Sequence, residues 1–163
     1  MRAIVQDQYG TSDQLALTEV PDPTPASGEV LVRVAAAGVD RGTWHVMTGL
    51  PLLARLGLGL RRPKDRIPGR DVAGTIIALG DGVTEHAIGD AVYGTARGSF
   101  AELAVLPLTR LAPCPSSITV EEAAAVPVSG LTALQALRKA GVGRGDRVLV
   151  VGASGGVGTF AAQ

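Results

Sequence analysis

The stretch VLVVGASGGVGTFAAQ, Val148 to Gln163, carries the strongest local signal in the chain. With Arg147 in front, RVLVV is a continuous β-branched run, the pattern of a strand covered on both faces in a parallel sheet. Aligned on its glycines, Ala153-Ser154-Gly155-Gly156-Val157-Gly158 is A-x-G-x-x-G, with alanine replacing the first glycine of G-x-G-x-x-G. In that fingerprint a strand ends, small residues let the backbone approach a pyrophosphate, and a helix N-terminus aims free amides at the charge. Six residues rich in glycine also suit an ordinary tight strand-to-helix turn, so the flanking elements decide between the two. The strand is present in the pattern, and Thr159–Gln163 begins a helix. The acidic ribose-binding residue expected about 20 positions on falls beyond Gln163.

Immediately upstream the pattern is helical. TVEE, Thr119 to Glu122, is a capping box, in which a threonine hydroxyl and a glutamate three residues on satisfy orphan amides reciprocally. The short helix it opens runs through Ala123–Ala125 and ends near Pro127. A second helix starts around Ser129 and carries Leu131, Leu134 and Leu137, with Arg138 and Lys139 in its last turn and Gly141 as a left-handed C-cap.

Residues 1–118 read as β-rich. EVLVRVAAAG, Glu29 to Gly38, puts Val30, Val32 and Val34 on one face of a strand and Leu31 and Arg33 on the other. Shorter strands are expected at Arg2–Gln6, Leu15–Val20, Val72–Leu79, Ala91–Tyr93 and Phe100–Leu106, separated by glycine-bearing turns. Many short strands with such punctuation suggest an antiparallel sandwich or barrel.

Composition narrows the function. Fifteen basic residues balance fifteen acidic ones, so no basic field exists to collect nucleic-acid phosphates. A single cysteine, Cys114, excludes an internal disulfide framework and fits a reducing, cytoplasmic setting. MRAIVQDQYG has no signal-peptide core, and the greasiest stretch, GLPLLARLGLGL at Gly49–Leu60, is too short for a bilayer, which takes about 20 apolar residues. The reading is a protein that neither enters a membrane nor binds nucleic acid.

IPGRDVAGTI (Ile67–Ile76), VPVSGLTALQAL (Val126–Leu137) and VLVVGASGGVG (Val148–Gly158), in this order and spacing, resemble the medium-chain dehydrogenase/reductase superfamily, in its zinc-independent quinone oxidoreductase and enone reductase branch. The resemblance covers nearly the whole chain. It implies a β plus α/β architecture: a GroES-like antiparallel β-barrel catalytic domain over residues 1–118, lacking its C-terminal return segment. Residues 119–163 would then be linking helices and the first strand and helix start of a truncated Rossmann domain. The family's full-length members run about twice as far, a two-domain size. The resemblance further implies NADPH in the cleft between the domains and a small quinone or enone as hydride acceptor. The choice between NADPH and NADH stays open, because its determinants lie past Gln163.

Zinc-dependent members place a cysteine after AAG and a histidine after the following PG. Here Asp40 and Arg70 stand at those positions, and a cation cannot ligand zinc, so a metal-free site is expected. Asp40, His45, Asp71 and His86 form no familiar close-spaced ligand pair, and His86, in TEHAIGD, reads as a surface-turn residue. In quinone oxidoreductases the segment matching VDRGTWHVMTG (Val39–Gly49) borders the nicotinamide, with an asparagine at the position of Asp40 and an aromatic hydroxyl near that of His45. Both positions depart from the pattern. His45 is the candidate catalytic residue, able to stabilise or protonate an enolate near neutral pH; equally, it is a side chain packed beside Trp44. Asp40 either accepts hydrogen bonds from ribose hydroxyls or the carboxamide, or caps the following helical turn. Thr132 matches a threonine near the nicotinamide and alternatively bonds back to a helix carbonyl. With Asp40 and Thr132, the cofactor set is Ser154, Gly155, Gly156, Val157 and Gly158. Asp71 is expected to organise the barrel loop, and Arg61, Arg62 and Lys64 to form a solvated basic loop. The competing reading is a GroES-like module without catalysis, whose open sheet edge favours assembly, for instance as a homodimer.

Overall fold

The computed structural model describes residues 1–163. Strands β1 (Arg2–Gln6) and β2 (Leu15–Glu19) form an antiparallel ribbon. The main sheet is built from β3 (Glu29–Ala37), β4 (Asp71–Leu79), β5 (Ala91–Thr95), β6 (Leu103–Pro107) and β7 (Leu111–Pro113). Its order is β6-β3-β4-β5-β7, antiparallel at every pair. Backbone bonds such as Ile4 N to Phe100 O (2.8 Å) tie the ribbon to the approach to β6. The helices are α1 (Arg41–Thr48), α2 (Arg55–Leu58), α3 (Val120–Ala124), α4 (Pro127–Lys139) and α5 (Gly156–Ala161).

The sheet curls because its longest pair is irregular. β3 and β4 shift register between Leu31 and Val32 and again between Val34 and Ala36. The first leaves Ile77 of β4 unpaired and the second Ala35 of β3, and each bends its strand; Leu31 is buried together with Val30 and Val32. The concave side holds the core: Val30, Val32, Val72, Ile76, Val92, Ala96, Ala104 and Leu106. Gly74 lets the two strands close up, since a Cβ there would lie 3.0 Å from the Val32 side chain and collide with the Arg33 carbonyl.

Several boundaries moved, β2 ending at Glu19, β4 starting at Asp71 and β5 running to Thr95, and one strand was not foreseen. α4 starts at Pro127, not around Ser129: its ring supplies helical φ at the first position, where the missing N–H costs nothing. β6 starts at Leu103 rather than Phe100, and β7 is a three-residue edge strand too short to carry an alternation signal. His86 is largely covered rather than a surface-turn residue, its side chain 12% exposed with Nδ1 3.6 Å from the Asp90 carboxylate.

The larger correction concerns RVLVV. Arg147–Val151 forms no strand, and Leu149 and Val151 stand 87% and 88% exposed. A strand needs a neighbour to take its backbone hydrogen bonds, and no other segment of this chain runs beside it. The turn and helix after it do form. α5 packs on α4, with Phe160 beside Gly130.

Candidate active-site cleft

Two junctions place the helices against the sheet. Gly38 ends β3 where any side chain would strike the Ala124 carbonyl and the Asp71 Cβ, so α3 can settle on β3 and β4 through Ala73, Ala123 and Ala124. Asp71 then reaches across, and its Oδ1 accepts from the Val128 amide at 3.0 Å. The residue at the N-cap of α4, Val126, has no capping side chain, so a strand residue far away in sequence satisfies an orphan amide of the helix. Asp71 is 1% exposed. Burial pushes its carboxyl up to about 7, and the nearby Asp40 charge adds to this; the Val128 amide and Arg70 pull the other way.

Asp40 caps α1. Its Oδ1 accepts from the Thr43 amide at 3.0 Å and its Oδ2 from the Thr43 hydroxyl at 2.9 Å. Gly42 is small next to this carboxylate, because a Cβ there would lie 2.7 Å from Oδ1. Thr132 donates its hydroxyl to the Val128 carbonyl at 2.6 Å. Gly156 begins α5 against Ser129 of α4, with a would-be Cβ 3.1 Å from the serine Oγ. Asp40, Asp71, Thr132, Gly156 and Val157 thereby line one cleft of about 590 Å³ between the sheet end and the two helices.

The other expected site residues lie outside that lining. Gly155 is the N-cap of α5, Ser154 is exposed in the turn before it, and Gly158 is buried where a side chain would collide with the Gly152 carbonyl. His45 sits on α1 with Nδ1 2.8 Å from the Leu50 carbonyl and its ring edge-on to Trp44, the centroids 5.1 Å apart. No three of the histidine, cysteine, aspartate and glutamate side chains converge as a ligand set. The role of Asp71 was half visible in the sequence: the PGRD turn before a strand pointed to loop organisation, whereas its partner is 57 residues away.

This architecture, a curled antiparallel sheet carrying a helix-lined cleft at one end, is that of GroES-like domains. Residues 26–116 match the family model described as alcohol dehydrogenase GroES-like domain, and the chain belongs to that family. It is 36% identical over 174 residues to the chloroplast envelope quinone oxidoreductase homolog of Arabidopsis thaliana, covering 100% of this chain and 51% of the relative. Among solved structures it resembles the CurK enoyl reductase, with a TM-score of 0.89 and 28% identity over 98% of this chain and 49% of that one. It also resembles a mycobacterial protein solved as its complex with NADPH, with a TM-score of 0.85 and 33% identity over 99% of this chain and 48% of that one. The chain thus spans about half the length of these relatives.

Proposed function

We propose that the chain is the GroES-like part of a metal-free, cytoplasmic NADPH-dependent oxidoreductase whose acceptor is a quinone or an activated carbon–carbon double bond. The observation that carries this reading is the cleft itself, where Asp40, Thr132, Gly156 and Val157 meet although they lie on three separate elements. In this reading residues 1–118 are the catalytic domain and 119–163 open the dinucleotide-binding domain.

The residues present suit one wall of a dinucleotide site. Gly156 keeps the space in front of Ser129 open, and the first amides of α5 have no intrahelical partners. NADPH, when bound, supplies the hydride. The protein's part is positioning and electrostatics. Each Asp40 oxygen accepts one bond from Thr43 and keeps lone-pair capacity for a ribose hydroxyl or a carboxamide. His45 lies outside the cleft lining with Nδ1 on the Leu50 carbonyl; as the catalytic residue it would have to be the imidazolium, donating from Nε2 to the acceptor oxygen as charge develops there. Arg70, standing where zinc-dependent members place a ligand, supports a site without metal.

NADPH oxidation with menadione as acceptor, measured on a protein that carries this chain at the full length of its relatives, tests this reading. Turnover that falls about tenfold or more in His45→Gln is expected; a folded protein of that length with no turnover contradicts it. The exposed Val148, Leu149 and Val151 favour a second reading, an assembly module that covers this surface by association. A self-associating chain that ignores NADPH would establish it.

A further inference from the structure

Beside the cleft lies a smaller hollow of about 250 Å³ into which three arginines converge from separate segments: Arg70 before β4, Arg97 between β5 and β6, and Arg110 before β7. Four other arginines take partners: Arg2 pairs with Glu102 and Arg66 with Asp7, while Arg41 and Arg55 lie over the rings of Trp44 and Tyr9. Arg33, Arg61, Arg62, Arg138, Arg144 and Arg147 stand without an ion pair, and none of them lines this hollow. No carboxylate comes within ion-pairing distance of Arg70, Arg97 or Arg110, not even Asp65, which lines the same hollow. All three residues are exposed, so water screens their mutual repulsion, and an oxyanion seated among them would replace that screening with paired charge-assisted hydrogen bonds.

The hollow shares no lining residue with the cleft, but neighbouring residues connect the two. Thr43 lines it while holding the Asp40 carboxylate, and Arg70 adjoins Asp71. Arg70 and Arg110 also line the larger hollow under α4, which shares Thr132 with the cleft. An acceptor lying across the cleft could therefore extend a charged end to the arginines. Guanidinium groups match planar oxyanions with paired hydrogen bonds.

We propose that Arg70, Arg97 and Arg110 form an anion pocket and that the electron acceptor carries an oxyanion group, a carboxylate, sulfonate or phosphate, seated there. The acceptor part rests on the reductase reading above; the anion pocket does not. The only tryptophan, Trp44, follows Thr43 and reports occupancy of the hollow. Its fluorescence is titrated with anthraquinone sulfonate and with the neutral hydroxymethyl anthraquinone. The expected result is that the sulfonate binds about tenfold tighter or better, with an advantage that shrinks in salt. Arg97→Glu should erase that advantage and Arg97→Lys should retain part of it; Arg61→Glu, outside the hollow, should leave it unchanged. Equal affinity for the two quinones, or a preference that Arg61→Glu abolishes and Arg97→Glu does not, overturns the pocket. NADPH turnover, measured on a protein that carries this chain at the full length of its relatives, separates the two readings. Preferential sulfonate binding without turnover keeps the pocket and sinks the reductase. Turnover with equal kcat/KM for both quinones keeps the reductase and sinks the pocket.

Discussion

Two runs of valine and leucine in this chain have opposite fates. EVLVRV in β3 is paired on one side by β6 and on the other by β4, and Val30 and Val32 are fully buried. RVLVV at Arg147–Val151 has as strong a strand composition, yet it pairs with nothing and shows its side chains to water. Strand propensity describes fitness for a pleated, half-buried surface, and only neighbours create that surface. The first run has them within the chain; the second does not.

Core truncation should break this contrast most forcefully. Leu106→Ala, at the centre of the buried cluster, is expected to cost about 2–5 kcal/mol in chemical denaturation. Leu149→Ser should change stability by less than about 0.5 kcal/mol, because nothing packs on it. A large loss from Leu149→Ser would mean that the second run has a structural partner after all.

Next comes the joint between the regions. Asp71→Ala leaves the Val128 amide without its acceptor and should cost about 1–3 kcal/mol. Asp71→Asn keeps an acceptor and removes a buried charge. A carboxyl whose folded-state pKa is raised from 3.8 to about 7 favours the folded state below the lower value, and that advantage is lost as pH rises through about 7. Wild-type stability should therefore carry a component that declines over that window, and Asp71→Asn should lack it. Thermal melts across the window check the sign; a wild-type and mutant difference that stays constant with pH removes Asp71 as the cause.

The gentlest probe is amide hydrogen exchange. Protection should be high in β3 and β4 and close to absent at 147–151.

Much of this was legible beforehand, for physical reasons. The β3 strand, the capping box at Thr119 and the Gly141 cap with its positive φ are local codes, and each formed, although Leu31 is buried along with Val30 and Val32. The cleft was legible only in part. Asp40, Thr132, Gly156 and Val157 do come together, but Asp40 and Thr132 each use their side chains to hold a helix, which spacing could not separate from ligand binding. The Asp71–Val128 bond and the Arg70, Arg97 and Arg110 hollow join residues far apart in sequence, and no periodicity encodes such meetings. The RVLVV reading failed because a strand is a property of a sheet.

Calorimetric titration of the purified chain with NADPH tests most directly whether the cleft is one wall of a dinucleotide site. Saturable heat, weakened about tenfold by Gly156→Val, whose side chain would press on Ser129 and enter the cleft, is the result predicted. No heat from a chain that folds cooperatively, or binding that Gly156→Val leaves unchanged, would contradict it.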